Sequence, residues 1–89
     1  MLKIKTTKQF EKDYKKALKS GRDIQILKQL INWIVNKQAL PPEFRDHKLI
    51  GNYHGRRECH LTADWLLIYK LDKDIVILER TGSHSELFK

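Results

Sequence analysis

The pattern of apolar and polar positions changes period twice along the chain. Met1-Leu2-Lys3-Ile4-Lys5 alternates, with Leu2 and Ile4 on one side, which predicts a short strand. In Thr6-Thr7-Lys8-Gln9, Thr6 is the expected helix N-cap, with Gln9 completing a capping box. Phe10, Tyr14, Ala17 and Leu18 then recur at helical spacing as one apolar stripe, leaving Lys8, Lys12, Lys15, Lys16 and Lys19 for the other faces. Ser20-Gly21 is the predicted stop, and Asp23 the start of a second helix. Its stripe is Ile24, Leu27, Ile31, Ile34 and Val35, widened by Ile26 and Leu30. So short a connection predicts antiparallel helices, and Pro41-Pro42 forbids continuation.

Beyond the prolines the runs become short and strand-like. Asp46–Ile50 predicts a short strand closed by the turn-forming Gly51-Asn52-Tyr53-His54-Gly55. Arg57–Leu61 alternates, with Glu58 and His60 on one face and Cys59 and Leu61 on the other. After the turn Thr62-Ala63-Asp64, the nearly continuous apolarity of Trp65–Leu71 predicts a central strand buried on both faces. Asp72-Lys73-Asp74 turns into the strand Ile75–Arg80, and Thr81-Gly82-Ser83 leads into one helical turn, His84–Phe88. The expected fold is α+β, in the order β-α-α-β-β-β-β-α: two helices packed on a twisted, mostly antiparallel sheet. With 89 residues, one domain spanning 1–89 is expected.

Charge sharpens this picture. The net charge is +7, and it is unevenly placed: residues 1–40 carry nine lysines and one arginine against Glu11, Asp13 and Asp23, while residues 41–89 balance eight basic against eight acidic groups. The first half reads either as an electrostatic footprint for phosphates or as ordinary solvated helix surface. The single cysteine, Cys59, excludes an internal disulfide, and no apolar run approaches a membrane span or a secretion signal. A soluble, cytosolic protein without membrane contact is expected.

All four histidines, His47, His54, His60 and His84, lie in the charge-balanced half at predicted strand ends and turns. Alternate strand ends of a meander meet at one rim, so such residues can converge. RNA cleavage needs a base for the 2′-hydroxyl, an acid for the leaving 5′-oxygen and a cation for the phosphorane-like charge. His47, His60, Asp64, Arg80 and His84 supply those types. Trp65 and Phe88 are candidates for stacking on an unpaired base. Each has a structural alternative: a surface histidine, a core tryptophan, an Arg57/Glu58 surface pair, an Arg80 tethered to Glu79 or to a carbonyl. Zinc is weakly supported, since no histidine pair has tight ligand spacing, and no cofactor is expected.

The segment Asp46-His47-Lys48-Leu49, the run from Arg57 to Tyr69 that contains Glu58-Cys59-His60 and Asp64-Trp65, and the tail Glu79-Arg80-Thr81-Gly82-Ser83-His84-Ser85-Glu86-Leu87-Phe88 resemble the YafQ-type branch of the RelE/ParE toxin superfamily. The resemblance covers nearly the whole chain. It implies a RelE-like fold and a ribosome-dependent mRNA endoribonuclease, the toxin of a type II toxin–antitoxin pair. Its implied partners are a cognate antitoxin, the ribosome and mRNA, with the toxin monomeric when alone. It places the active site on His47, His60, Asp64, Arg80, His84 and Phe88, with Glu58 added in some close relatives, and His54 falls outside these motifs. Substrate contact by Trp65, and contact of Lys8, Lys12, Lys15, Lys16 and Lys19 with ribosomal RNA, are expectations from residue type and charge alone. A non-catalytic toxin of the same fold, of the gyrase-poisoning kind, and a simple basic RNA-binding module remain the competing expectations.

Overall fold

The computed structural model describes residues 1–88. The chain runs β1 (Lys3–Thr6), α1 (Lys8–Lys19), α2 (Ile24–Val35), β2 (His47–Lys48), β3 (Arg57–Thr62), β4 (Trp65–Asp72), β5 (Ile75–Gly82) and α3 (His84–Leu87), with short 3-10 turns at Pro42–Phe44 and Gly51–Tyr53. This is the predicted order. The sheet reads β1-β5-β4-β3-β2. Only β1 with β5 is parallel, and β4 sits in the middle as its apolar run requires.

Helix α1 starts one residue later than the capping pattern suggested. Thr7 is the N-cap, accepting from the Phe10 amide at 3.0 Å. Thr6 belongs to β1, opposite Leu78, and Gln9 donates to Asp13 at 3.1 Å instead of closing a capping box. The stripe is also narrower than predicted. Phe10 and Ala17 are buried, but Leu18 is 51% exposed. At about 100° per residue, Leu18 lies roughly 80° round the helix from Phe10. Gly21, at φ +79°, supplies the left-handed turn that stops the chain short of α2. Asp23 caps α2 through the Gln25 amide, and Leu27, Leu30, Ile34 and Val35 are buried.

Strand alternation divides the sheet into two faces. Cys59, Leu61, Trp65, Leu67, Tyr69, Val76 and Leu78 face the helices and form the main core with Phe10, Ala17 and the α2 stripe. Leu66 and Ile68 face away from it and form a second, small core with Leu87, flanked by Leu49, Tyr53 and Phe88. That second face carries the candidate chemistry. No helix among the described residues is long and apolar enough to cross a membrane.

Candidate active site

Register determines what can meet. His47 pairs with Glu58, Glu58 with Ile68, and Ile68 with Arg80, so one row crosses four strands on the face away from α1 and α2. His60, Leu66 and Gly82 form the next row. With strands about 4.8 Å apart, the first row spans about 14 Å between its outer backbones. Asp64, in the β3–β4 turn, and His84, just beyond β5, extend the second row at the same rim.

The tightest cluster is His47, Glu58 and His60, whose ligand-type atoms all lie within 4.8 Å of one another. Glu58 Oε1 is 3.3 Å from His47 Nε2 and 3.2 Å from His60 Nε2. The alternative of an Arg57/Glu58 surface pair does not hold among the described residues. Glu58 is only 5% exposed and faces the histidines, whereas Arg57 turns to Asp46. Strand alternation makes that separation unavoidable, because adjacent residues project to opposite faces.

Strand β2 is two residues long and needs external anchors. Asp46 supplies one, accepting from Arg57 Nη2 at 3.0 Å and from the Tyr69 hydroxyl at 2.5 Å. Burial, together with the Asp46 contact, pushes the Tyr69 phenol up, and the Asp46 bond raises Arg57. The Arg45 carbonyl supplies the other anchor, 2.6 Å from His47 Nδ1. A carbonyl can only accept, so this nitrogen carries a proton.

A second group forms where β5 meets α3. Ser83 caps α3 in a full capping box with Glu86, and Asp64 Oδ1 accepts from the His84 amide at 3.2 Å. The His84 ring lies 4.9 Å from that of Phe88, tilted by 34°, and Tyr53 meets Phe88 edge-on at 5.4 Å. The Tyr53 hydroxyl donates to Leu87 O at 3.2 Å. Among the described residues, no hydrogen bond joins this group directly to the Glu58 cluster; Leu66 and Ile68 form the floor between them.

Arg80 is tied to helix α1. Its Nε and Nη2 donate to the two Asp13 oxygens at 2.9 and 3.3 Å. The tether is therefore an α1 carboxylate, not Glu79 or a carbonyl. Asp13 raises Arg80 further, and its Oδ2 also accepts from the Thr81 amide at 3.2 Å. Tyr53 adds to the same effect from close by, and Arg80 Nη1 has no carboxylate partner among the described residues. Glu79 instead pairs with Arg56 at 3.0 Å.

One expectation fails on burial. Trp65 is 1% exposed, packed in the main core with Arg22 over its ring at 5.3 Å. It shares strand parity with Leu67 and Tyr69, so it faces the helices and is closed to an RNA base. The five lysines of α1 are exposed, and Lys16 also pairs with Glu86. His54 is exposed and lies outside both groups.

Two contributors were missed from sequence. Asp13 sits between Phe10 and Ala17 at an apolar-stripe position of α1, and a carboxylate out of pattern there was the available signal. Tyr53 had no such signal, since it lies in a run that reads only as turn.

The arrangement, a buried carboxylate between two imidazoles with a third imidazole and a guanidinium across an apolar floor, brings together the acid, base and cation types that phosphodiester cleavage requires. A family model described as the bacterial toxin of type II toxin–antitoxin systems, YafQ, matches residues 2–89, and the chain belongs to that family. The mRNA interferase toxin YafQ of Escherichia coli K12 is 41% identical over 86 residues, covering 96% of this chain and 94% of that protein. A copper-bound mutant toxin from Helicobacter pylori superposes with a TM-score of 0.95 at 44% identity, over 99% of this chain and 100% of that one. YafQ in the E. coli DinJ–YafQ complex gives 0.92 at 39% identity over the full length of both chains.

Two imidazole nitrogens and a carboxylate oxygen also suit a borderline divalent ion such as zinc or copper, so His47, Glu58 and His60 are the residues that would hold one.

Proposed function

We propose that this chain is the toxin of a type II toxin–antitoxin pair and an endoribonuclease that cuts ribosome-bound mRNA in the cytoplasm by metal-independent acid–base chemistry. A cognate antitoxin is its protein partner, as DinJ is of YafQ in E. coli. The observation that carries the reading is the Glu58 carboxylate held between His47 and His60, on the same face and rim as Asp64 and His84.

Room decides the roles. The His47 and His60 rings are 6.1 Å apart with a carboxylate between them, which leaves no place for a phosphate. From β3 to the end of β5, by contrast, two strand spacings separate His60 from the approach to His84, about 10 Å of backbone. A phosphate seated there has a base on one side and an acid on the other.

In this scheme His60 Nε2–H donates to Glu58, and Nδ1 takes the proton of the 2′-hydroxyl. The 2′-oxygen bonds to phosphorus, the bond to the 5′-oxygen breaks, and His84 protonates the leaving oxygen. The products are a 2′,3′-cyclic phosphate and a free 5′-hydroxyl. Glu58, backed by His47, stabilises the imidazolium that forms on His60. Asp64 holds the His84 backbone, Arg80 Nη1 faces the charge that grows on phosphate, and Phe88 steadies a base by stacking. An ion held by the Nε2 atoms of His47 and His60 and by Glu58 would instead replace the Nε2–H to Glu58 bond that sets the His60 tautomer, leaving the proton on Nδ1 and removing the base. The α1 lysines would contact ribosomal RNA, and the ribosome would supply the orientation that so small a site lacks.

Induced expression followed by mapping of mRNA 5′ ends tests the reading. Cuts in register with codons, lost in His84→Ala, are expected; growth arrest without such cuts would point to a non-catalytic toxin.

A further inference from the structure

A pocket of about 300 Å³ adjoins the catalytic rim on its His60 side. Glu43, Phe44 and Arg45 form one wall, and His60, Thr62 and Ala63 the other. The first wall is fixed. Phe44 packs on Trp33 of α2, ring centroids 5.7 Å apart, and the Arg45 amide donates to Pro42 O at 3.0 Å.

Arg45 itself adopts a left-handed conformation, φ 47° and ψ 45°, which a residue with a side chain holds only at a cost. That conformation aims its carbonyl at His47 Nδ1 and leaves its side chain exposed at the mouth of the pocket. Among the described residues its guanidinium has no ion-pair or hydrogen-bond partner, in contrast to Arg56, Arg57 and Arg80, which are all paired with carboxylates. Arg45 therefore stands, without a carboxylate partner among the described residues, beside a cavity whose opposite wall is the general base of the proposed reaction.

We infer that this pocket is a nucleotide subsite: it seats the nucleotide that carries the attacking 2′-hydroxyl, and Arg45 pairs with that nucleotide's own 5′-phosphate. The inference rests on the endoribonuclease reading, with His60 as base. A planar guanidinium suits a phosphate through paired donors, and the polar edges of Glu43 and Thr62 suit a base better than an apolar ligand.

The test is single-turnover cleavage of mRNA on programmed ribosomes by the full chain and four variants, with thermal unfolding measured in parallel. Arg45→Gln keeps the backbone and removes the charge; it should slow cleavage by about tenfold or more while the unfolding midpoint holds. Arg45→Lys should recover most of that loss. Thr62→Phe, an exposed strand position that tolerates an aromatic residue, fills the pocket and should slow cleavage to a similar degree. Either Arg45→Gln or Thr62→Phe cutting at the parent's rate overturns the subsite. If His84→Ala is inactive in the same assay, that failure is confined to the subsite; if His84→Ala also cuts normally, the nuclease reading falls with it.

Discussion

The imidazoles of His47 and His60 stand 6.1 Å apart, with one oxygen of the buried Glu58 within 3.3 Å of a ring nitrogen of each. The triad proposed to orient a base also has the geometry of a metal site, and the two uses exclude each other. Zinc added at micromolar levels is therefore expected to inhibit cleavage, a zinc-selective chelator to restore it, and Glu58→Ala to bind the ion more weakly. Stimulation by zinc would mean that the triad works as a metal centre.

Arg80 and Asp13 connect the rim of the site to the lysine-rich helix. The Asp13 side chain is only 9% exposed and accepts four hydrogen bonds, two from Arg80 and one each from the Thr81 amide and the Gln9 side chain. Asp13→Ala should destabilise the fold by about 2 kcal/mol, the scale of charge-assisted bonds at a partly buried site. It should also slow cleavage beyond what lost stability explains, because Arg80 loses its aim. Denaturant unfolding beside a cleavage assay below the midpoint separates the two effects, and an unaltered rate would remove Arg80's orientation from the mechanism.

Helix α3 has its own acid sensitivity. The Lys16 contact, followed by the Ser83 bonds of the capping box, holds Glu86 at about 2, below its ordinary value of 4.5. A carboxylate lowered on folding contributes stability that is complete above about 4.5 and is lost as pH falls toward about 2. The contribution is modest, since the Lys16 side chain is 73% exposed. Glu86→Gln should flatten the acid limb of the stability curve across that window and leave neutral stability lower. An identical acid limb in the two proteins would show that another group governs it.

Trp65 provides a check on the division between core and site. Trp65→Leu should cost on the order of 2 kcal/mol, as lost volume in a packed core does. Its cleavage rate below the unfolding midpoint should stay within about twofold of the parent, well under one decade in barrier terms. A tenfold loss with the fold intact would return Trp65 to the substrate.

What could be read in advance, and what could not, follows from the range of each interaction. The α2 stripe, the apolar run of β4 and the breaks at Gly21 and Pro41-Pro42 are local patterns, and the element order followed from them. The start of α1 slipped by one residue because Thr6 and Thr7 are equally good caps, and only the pairing of Thr6 with Leu78 in β1 chooses between them. Trp65 was ambiguous because a strand buried on both faces gives no alternation to orient it. The Asp13–Arg80 pair joins residues 67 positions apart, and the place of Tyr53 against Phe88 depends on how a turn folds back. The motif histidines were legible as a set. Their division into a Glu58 pair and a separate His84 depended on register.

Attack by the substrate's own 2′-hydroxyl is the step that the gathered imidazoles are proposed to drive. mRNA on programmed ribosomes, carrying a single 2′-deoxy substitution at the nucleotide 5′ to the scissile bond, isolates that step. The unmodified message should be cut to a 2′,3′-cyclic phosphate and the substituted one should survive at that site; cleavage of both at equal rates would contradict attack by the 2′-hydroxyl.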